Sequence, residues 1–77
     1  MTAETPGPLV DGRGLEPPEP FLRVMAALEV LERGQVLTLL LYRQPFPLFA
    51  QLKPRGFQHA TSLGADGTYT IRIWHTP

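Results

Sequence analysis

Gly14-Leu15-Glu16-Pro17-Pro18-Glu19-Pro20 runs directly into Phe21-Leu22-Arg23-Val24-Met25-Ala26-Ala27-Leu28-Glu29-Val30-Leu31, and the reading of this stretch decides the fold. Phe21, Val24, Met25, Leu28 and Leu31 recur at i, i+3, i+4, i+7 and i+10, one face of a 3.6-residue period. Arg23, Glu29 and Glu32 fall elsewhere, so the segment reads as an amphipathic helix with a single buried side. The prolines belong at its start, where a missing N–H costs nothing. Arg33 is expected in its last turn, where a cation suits the helix dipole, and Gly34 as its stop.

Upstream, Leu9-Val10-Asp11 reads as a short first strand and Gly12-Arg13-Gly14 as a turn. Met1 to Pro8 has no apolar period and is expected to be a flexible tail, leaving residues 9–77 as a single domain. Downstream, Val36 to Tyr42 is a nearly continuous apolar run flanked by Gly34 and Pro45, which suits a strand near a sheet centre. Pro47 is placed as the first residue of a short second helix carrying Leu48, Phe49 and Leu52. Pro54 disfavours helical geometry at Lys53, and Gly56 completes the break. Phe57–Leu63 and Thr68–Trp74 are strands joined by Gly64-Ala65-Asp66-Gly67 into a hairpin. The order is β-α-β-α-β-β. Crossovers of one hand then place both helices on one face of a four-stranded mixed sheet, giving a two-layer α/β (α+β) sandwich with an open second face.

Composition narrows the function classes. The chain has 77 residues and no cysteine, which removes disulfides, thiolate metal sites and cysteine nucleophiles. Small secreted domains usually carry disulfides, so a cytoplasmic location is expected. The longest apolar stretch is far too short to span a membrane. Seven basic residues balance seven acidic ones and are scattered along the chain, so neither nucleic acid nor a membrane is an expected partner.

The proline segment has its own electrostatics. A bare helix N-terminus attracts anions through its N–H groups. Here Pro17, Pro18 and Pro20 supply none, and Glu16 and Glu19 set negative charge against the positive end of the dipole. The result is a rigid acidic ledge that repels phosphate and sulfate. It reads first as a helix-start device and, compatibly with that, as a recognition surface for a basic partner or a cation. Arg43, Gln44, Pro45 and Phe46 follow the central strand at the same sheet edge, so the two proline segments are expected as neighbours. The candidate ledge is therefore Glu16, Pro17, Pro18, Glu19, Pro20, Arg43, Gln44, Pro45 and Phe46, with Phe46 read as a plug in the core on composition.

A second candidate surface is the open sheet face. Val36, Leu40, Tyr42, Arg72 and Trp74 point away from the helices if Tyr69, Ile71 and Ile73 face the core, and the patch is more apolar than a water-facing sheet should be. Self-association or partner docking is expected there unless the N-terminal tail covers it. His59 and His75 have no metal-ligand spacing, Ser62 has no nucleophile context, and a domain this small is expected to offer little concavity for paired-carboxylate chemistry. No catalytic residue, metal or cofactor is assigned.

Gly14 to Pro20 resembles the Gly-Leu-x-Cys-Pro-x-Pro signature of the TusA/SirA-like sulfur carriers, with Pro18 and Pro20 on the family prolines and Pro17 where the family has its cysteine. The resemblance covers about residues 9 to 74 and implies the same βαβαββ domain. In those carriers the cysteine takes a persulfide and hands sulfur onward. Pro17 has no thiol, so sulfur transfer does not carry over. The chain is more similar to a cysteine-less branch of unknown function, whose members read Gly-Leu-Glu-Pro-Pro-Glu-Pro and carry stretches like Arg43 to Phe49 and Arg55-Gly56-Phe57. Gln44 departs from the acidic residue of that branch. Such relatives are often found near hemerythrin-like and nitrogen-oxide or respiratory proteins, which implies a redox setting.

The function expected is a non-catalytic binding or adaptor module. It docks a protein partner, or a second copy, through the ledge or the open sheet face, in sulfur, metal or nitrogen-oxide redox metabolism. The alternative is a small-molecule or cofactor-binding accessory domain of an enzyme system. Concavity between the two proline segments separates them: a pocket favours the ligand, a flat surface favours docking.

Overall fold

Alternation on the two central strands builds the core. In the computed structural model, which describes residues 5–77, the elements are β1 (Thr5–Asp11), α1 (Glu19–Glu29), β2 (Gln35–Leu41), α2 (Phe46–Leu52), β3 (Phe57–Leu63) and β4 (Tyr69–His75). Leu37, Leu39 and Leu41 of β2, with Ile71 and Ile73 of β4, turn to one face and are buried. Val24 and Leu28 of α1 and Leu48 and Leu52 of α2 cover them. The sheet order is β1-β2-β4-β3, with β1 parallel to β2 and both other pairs antiparallel. The fold is the expected four-stranded mixed sheet with two helices. Among the described residues no helix is long and apolar enough to cross a membrane.

The first strand starts earlier than its sequence suggests. Thr5 to Pro8, expected in the tail, belong to β1, and Met1 to Glu4 lie outside the described residues. An edge strand bonds on one side only, so proline is tolerated where its missing N–H would have faced outward. The register slips between Pro6 and Leu9, which accommodates this proline-bearing stretch.

Helix α1 stops earlier than expected. The N–H groups of Val30 and Leu31 donate to the carbonyls of Ala27 and Leu28 at 3.2 and 3.3 Å, a tightening of the last turn. That tightening carries Leu31 into the core, 6% exposed, beyond the helix end at Glu29. Arg33 is consequently outside the helix, and its Nη1 donates to the Thr76 carbonyl at 3.0 Å. Gly34, at φ 92°, turns the chain into β2 instead of capping α1. Pro54 also does less than expected. Lys53 keeps helical angles (φ −61°, ψ −46°), and the chain continues through a 3₁₀ turn at Lys53–Arg55 before Gly56 ends it. Proline is accepted there because it falls in the first residues of a new turn.

Candidate functional site

Both helices start on proline. Pro18 is the N-cap of α1 and Pro45 that of α2, neither with a side-chain cap hydrogen bond. Each proline contributes its carbonyl instead. Pro18 accepts from Leu22 N–H at 3.0 Å, and Pro45 accepts from Leu48 and Phe49 N–H at 2.9 and 3.1 Å. A second proline, Pro20 or Pro47, lies in the first positions of each helix. Two further donors around the α1 start are used locally: Leu15 N–H bonds the Gly12 carbonyl at 3.2 Å and Glu19 N–H bonds the Glu16 carbonyl at 2.9 Å. Glu19 is further held by Arg23, one helical turn on, at 3.0 Å.

The end of β1 passes directly beneath this start. Gly12 N–H donates to the Leu40 carbonyl at 2.8 Å. A Cβ on Gly12 would lie 2.6 Å from Leu41 Cδ2 and 3.2 Å from Pro20 Cβ, so a side chain here would push on both the Leu41 methyl and Pro20. Asp11 and Arg13 then lock the following turn with two parallel bonds, Nε to Oδ1 and Nη2 to Oδ2, each 2.9 Å. The Arg13 side chain and its backbone N–H hold the Asp11 carboxyl down at about 2, and the same pair raises Arg13. Asp66 is likewise lowered by the backbone and side-chain bonds from Thr68 in the hairpin turn.

The two proline-headed starts do not form a flat ledge. They border a groove of about 690 Å³. Its floor is aliphatic, built from Val24, Leu39, Leu41 and Leu48, and its walls carry Pro17, Pro18, Pro20, Pro45 and Pro47. Leu15 and Phe21 complete the apolar lining, and Glu16 and Arg43 are its charged members. The expectation of little concavity is thus corrected: the proline entries of the two helices stand apart above the end of β2, over a floor that is itself buried. Of the candidate ledge, Glu16, Pro17, Pro18, Pro20, Arg43 and Pro45 border this groove, while Glu19, Gln44 and Phe46 do not. Phe46 is not a core plug. It is 65% exposed, because Leu48 and Leu52 take the buried side of α2 and Phe46 falls nearly opposite. Its ring meets Phe49 edge-on at 5.9 Å.

Tyr42, assigned to the open sheet face on strand parity, also changes place. β2 ends at Leu41, and Tyr42 borders the groove, 61% exposed. The other open-face candidates keep their positions, with Val36, Leu40 and Trp74 half-buried and Arg72 exposed. The Trp74 indole N–H donates to Gln58 Oε1 at 3.1 Å. Val36, Arg72 and Trp74 border a hollow of about 490 Å³ with Arg33 and His75. His75 is tied to the chain just beyond α1: its Nε2 lies 2.7 Å from the Leu31 carbonyl, which can only accept, so Nε2 carries the proton. His59 stacks on Phe49 at 4.2 Å. Among the described residues no three histidine or acidic side chains gather as metal ligands.

The groove was missed in the sequence because Val24, Leu39 and Leu48 are buried here, and their periodic signal is that of any core position. The five wall prolines were visible, but only their convergence makes a wall.

A two-layer βαβαββ domain with a four-stranded mixed sheet is the SirA-like fold. A crystal structure of a SirA-like protein from Desulfitobacterium hafniense superposes with a TM-score of 0.76 over 91% of this chain and 99% of that one, at 23% identity. Residues 9–75 match the family of uncharacterised conserved proteins DUF2249, and the chain belongs to that family. No curated protein matches it.

Proposed function

We propose that this domain is a non-catalytic binding module that takes an apolar small-molecule ligand in the groove between its two proline-headed helices. The observation that supports this reading is the lining itself. Five of the wall residues are prolines without an N–H, and the floor is aliphatic. Such a wall offers few donors to phosphate, sulfate or carboxylate oxygens, and it favours ligands that bury carbon. A volume of about 690 Å³ falls within the roughly 300–1,000 Å³ of small-ligand pockets. Glu16 and Arg43 are left to orient a polar end of the ligand. The concavity weighs against docking of a flat protein surface on the same residues.

Nile red, a neutral apolar dye, tests the reading without an anionic group. Its fluorescence should rise on binding, and amide shifts should cluster at Leu15, Phe21, Tyr42 and Leu48. Leu15→Glu places a charge in the groove and should weaken dye binding about tenfold, the equivalent of roughly 1.4 kcal/mol. Equal dye binding by both proteins, or shifts confined to the open sheet face, would remove the groove from consideration.

A further inference from the structure

The two edges of the sheet are built very differently. β1 carries Pro6 and Pro8, and its register slips between Pro6 and Leu9. Prolines and bulges are the devices by which edge strands avoid pairing with other chains. β3, the opposite edge, has neither. Its seven residues, Phe57-Gln58-His59-Ala60-Thr61-Ser62-Leu63, contain no proline, no glycine, no lysine and no other formal charge. Its register with β4 runs without a slip from Phe57 to Leu63. Among the described residues it is paired on one side only, and every residue from Gln58 to Leu63 is exposed.

We propose that β3 pairs antiparallel with β3 of a second copy, about a two-fold axis through Ala60, joining two sheets into one of eight strands. The sequence of the strand is what favours a second copy over a foreign strand. With Ala60 opposite Ala60, Phe57 faces Leu63, Gln58 faces Ser62 and His59 faces Thr61. Each pair matches apolar with apolar or polar with polar, and no two like charges meet. Facing residues in an antiparallel pair lie on one side of the sheet, so both helical layers stay on the same face. Leu63, 58% exposed in one copy, gains an aromatic neighbour in Phe57 of the other. An isologous contact of this kind closes at two copies and leaves the proline-bearing β1 edges outermost. It uses neither the groove nor the open sheet face, so it stands apart from the ligand reading.

The chain has no cysteine, which makes a single introduced thiol a clean ruler. Facing Cα atoms in an antiparallel pair lie about 4.5–5.5 Å apart, within the roughly 4.4–6.8 Å that a disulfide spans. Ala60→Cys should therefore cross-link to a dimer under mild oxidation. Thr61→Cys should not, since the two copies of residue 61 are diagonal neighbours about 7–8 Å apart. Ala65→Cys, in the hairpin turn, reports random collision. Sedimentation of the full unmodified chain up to about 1 mM should show a monomer–dimer equilibrium. Ala60→Glu should raise its dissociation constant about tenfold by setting two carboxylates face to face. Within one copy that carboxylate lies across from Arg72, so the fold tolerates it. A chain that stays monomeric at 1 mM overturns the proposal. So does cross-linking as efficient at position 61 or 65 as at position 60.

Discussion

The two helix starts solve one problem with the same residue and different support. Both use a proline carbonyl as the first acceptor and a second proline inside the first turn. Helix α1 runs for 11 residues and has Glu19 in its first turn, Arg23 on Glu19, and the Asp11–Arg13 pair in the turn before it. Helix α2 runs for 7 residues and has no acidic residue in its first turn. An isolated helix of that length would not persist in water, so α2 depends on what it buries. The α1 start is held by electrostatics and contact with β1; the α2 start has no such charges and rests on the Pro45 carbonyl and the burial of Leu48 and Leu52. The two walls of the groove are therefore supported for different physical reasons.

The largest effect expected from this difference lies in α2. Leu48 is 2% exposed and forms part of both core and groove floor. Leu48→Ala should lower the unfolding free energy by about 2–5 kcal/mol in a urea titration, the range for deleting a buried leucine side chain. It should also loosen the groove wall at Pro45 and Pro47, seen as faster amide exchange through α2 than through α1. Uniform acceleration in both helices would show that the two starts are not independently held.

The next effect belongs to α1. Gly12→Ala forces a methyl group against Leu41 and Pro20, and overpacking of this kind costs about 1–3 kcal/mol. The methyl pushes on the α1 start through Pro20, so chemical shift changes should concentrate between Leu15 and Phe21. A smaller effect follows for Glu19→Gln, which removes the pair with Arg23 and one charge at the dipole. Both side chains are about half exposed, so the loss should be about 0.3–1 kcal/mol and should shrink further in 0.5 M salt.

These contrasts also mark where the sequence was legible. Residues 21, 24, 25 and 28 announced α1, and 69, 71 and 73 announced β4, because a periodic apolar face is a local property. The Gly14–Pro20 motif placed the first helix start correctly for the same reason. Thr5 to Pro8 were not legible as strand, since their pairing depends on lying at an edge. The end of α1 depended on Leu31 finding the core, and Phe46 on which side of α2 met β2. The groove was least legible of all. Its prolines were plain in the sequence, but a cavity is a relation between elements, and no local pattern encodes the space between them.

The smallest effect tests the support of the α1 start through pH. Asp11 is held at about 2 in the folded chain, against an ordinary value of 3.8, chiefly by the Arg13 side chain and then by the Arg13 N–H. A carboxylate whose folded value is depressed contributes stability that is complete above its unfolded value and is lost as pH falls through its folded value. The Asp11 contribution should thus be intact above about pH 4 and disappear between about pH 4 and 2. Solvent exposure of both partners keeps the effect small, so the side-chain carboxyl carbon shift of Asp11 is the better readout than a melting curve. Arg13→Ala should return that midpoint toward 3.8 while leaving the Asp66 midpoint depressed, because Asp66 owes its shift chiefly to Thr68. If both midpoints move together, the β1 turn and the hairpin turn form one coupled surface. The two turns lie at the same end of the sheet, where Asp11 pairs with Leu40 and Tyr69 with Leu41, so the α1 start would then draw support from the hairpin across that end.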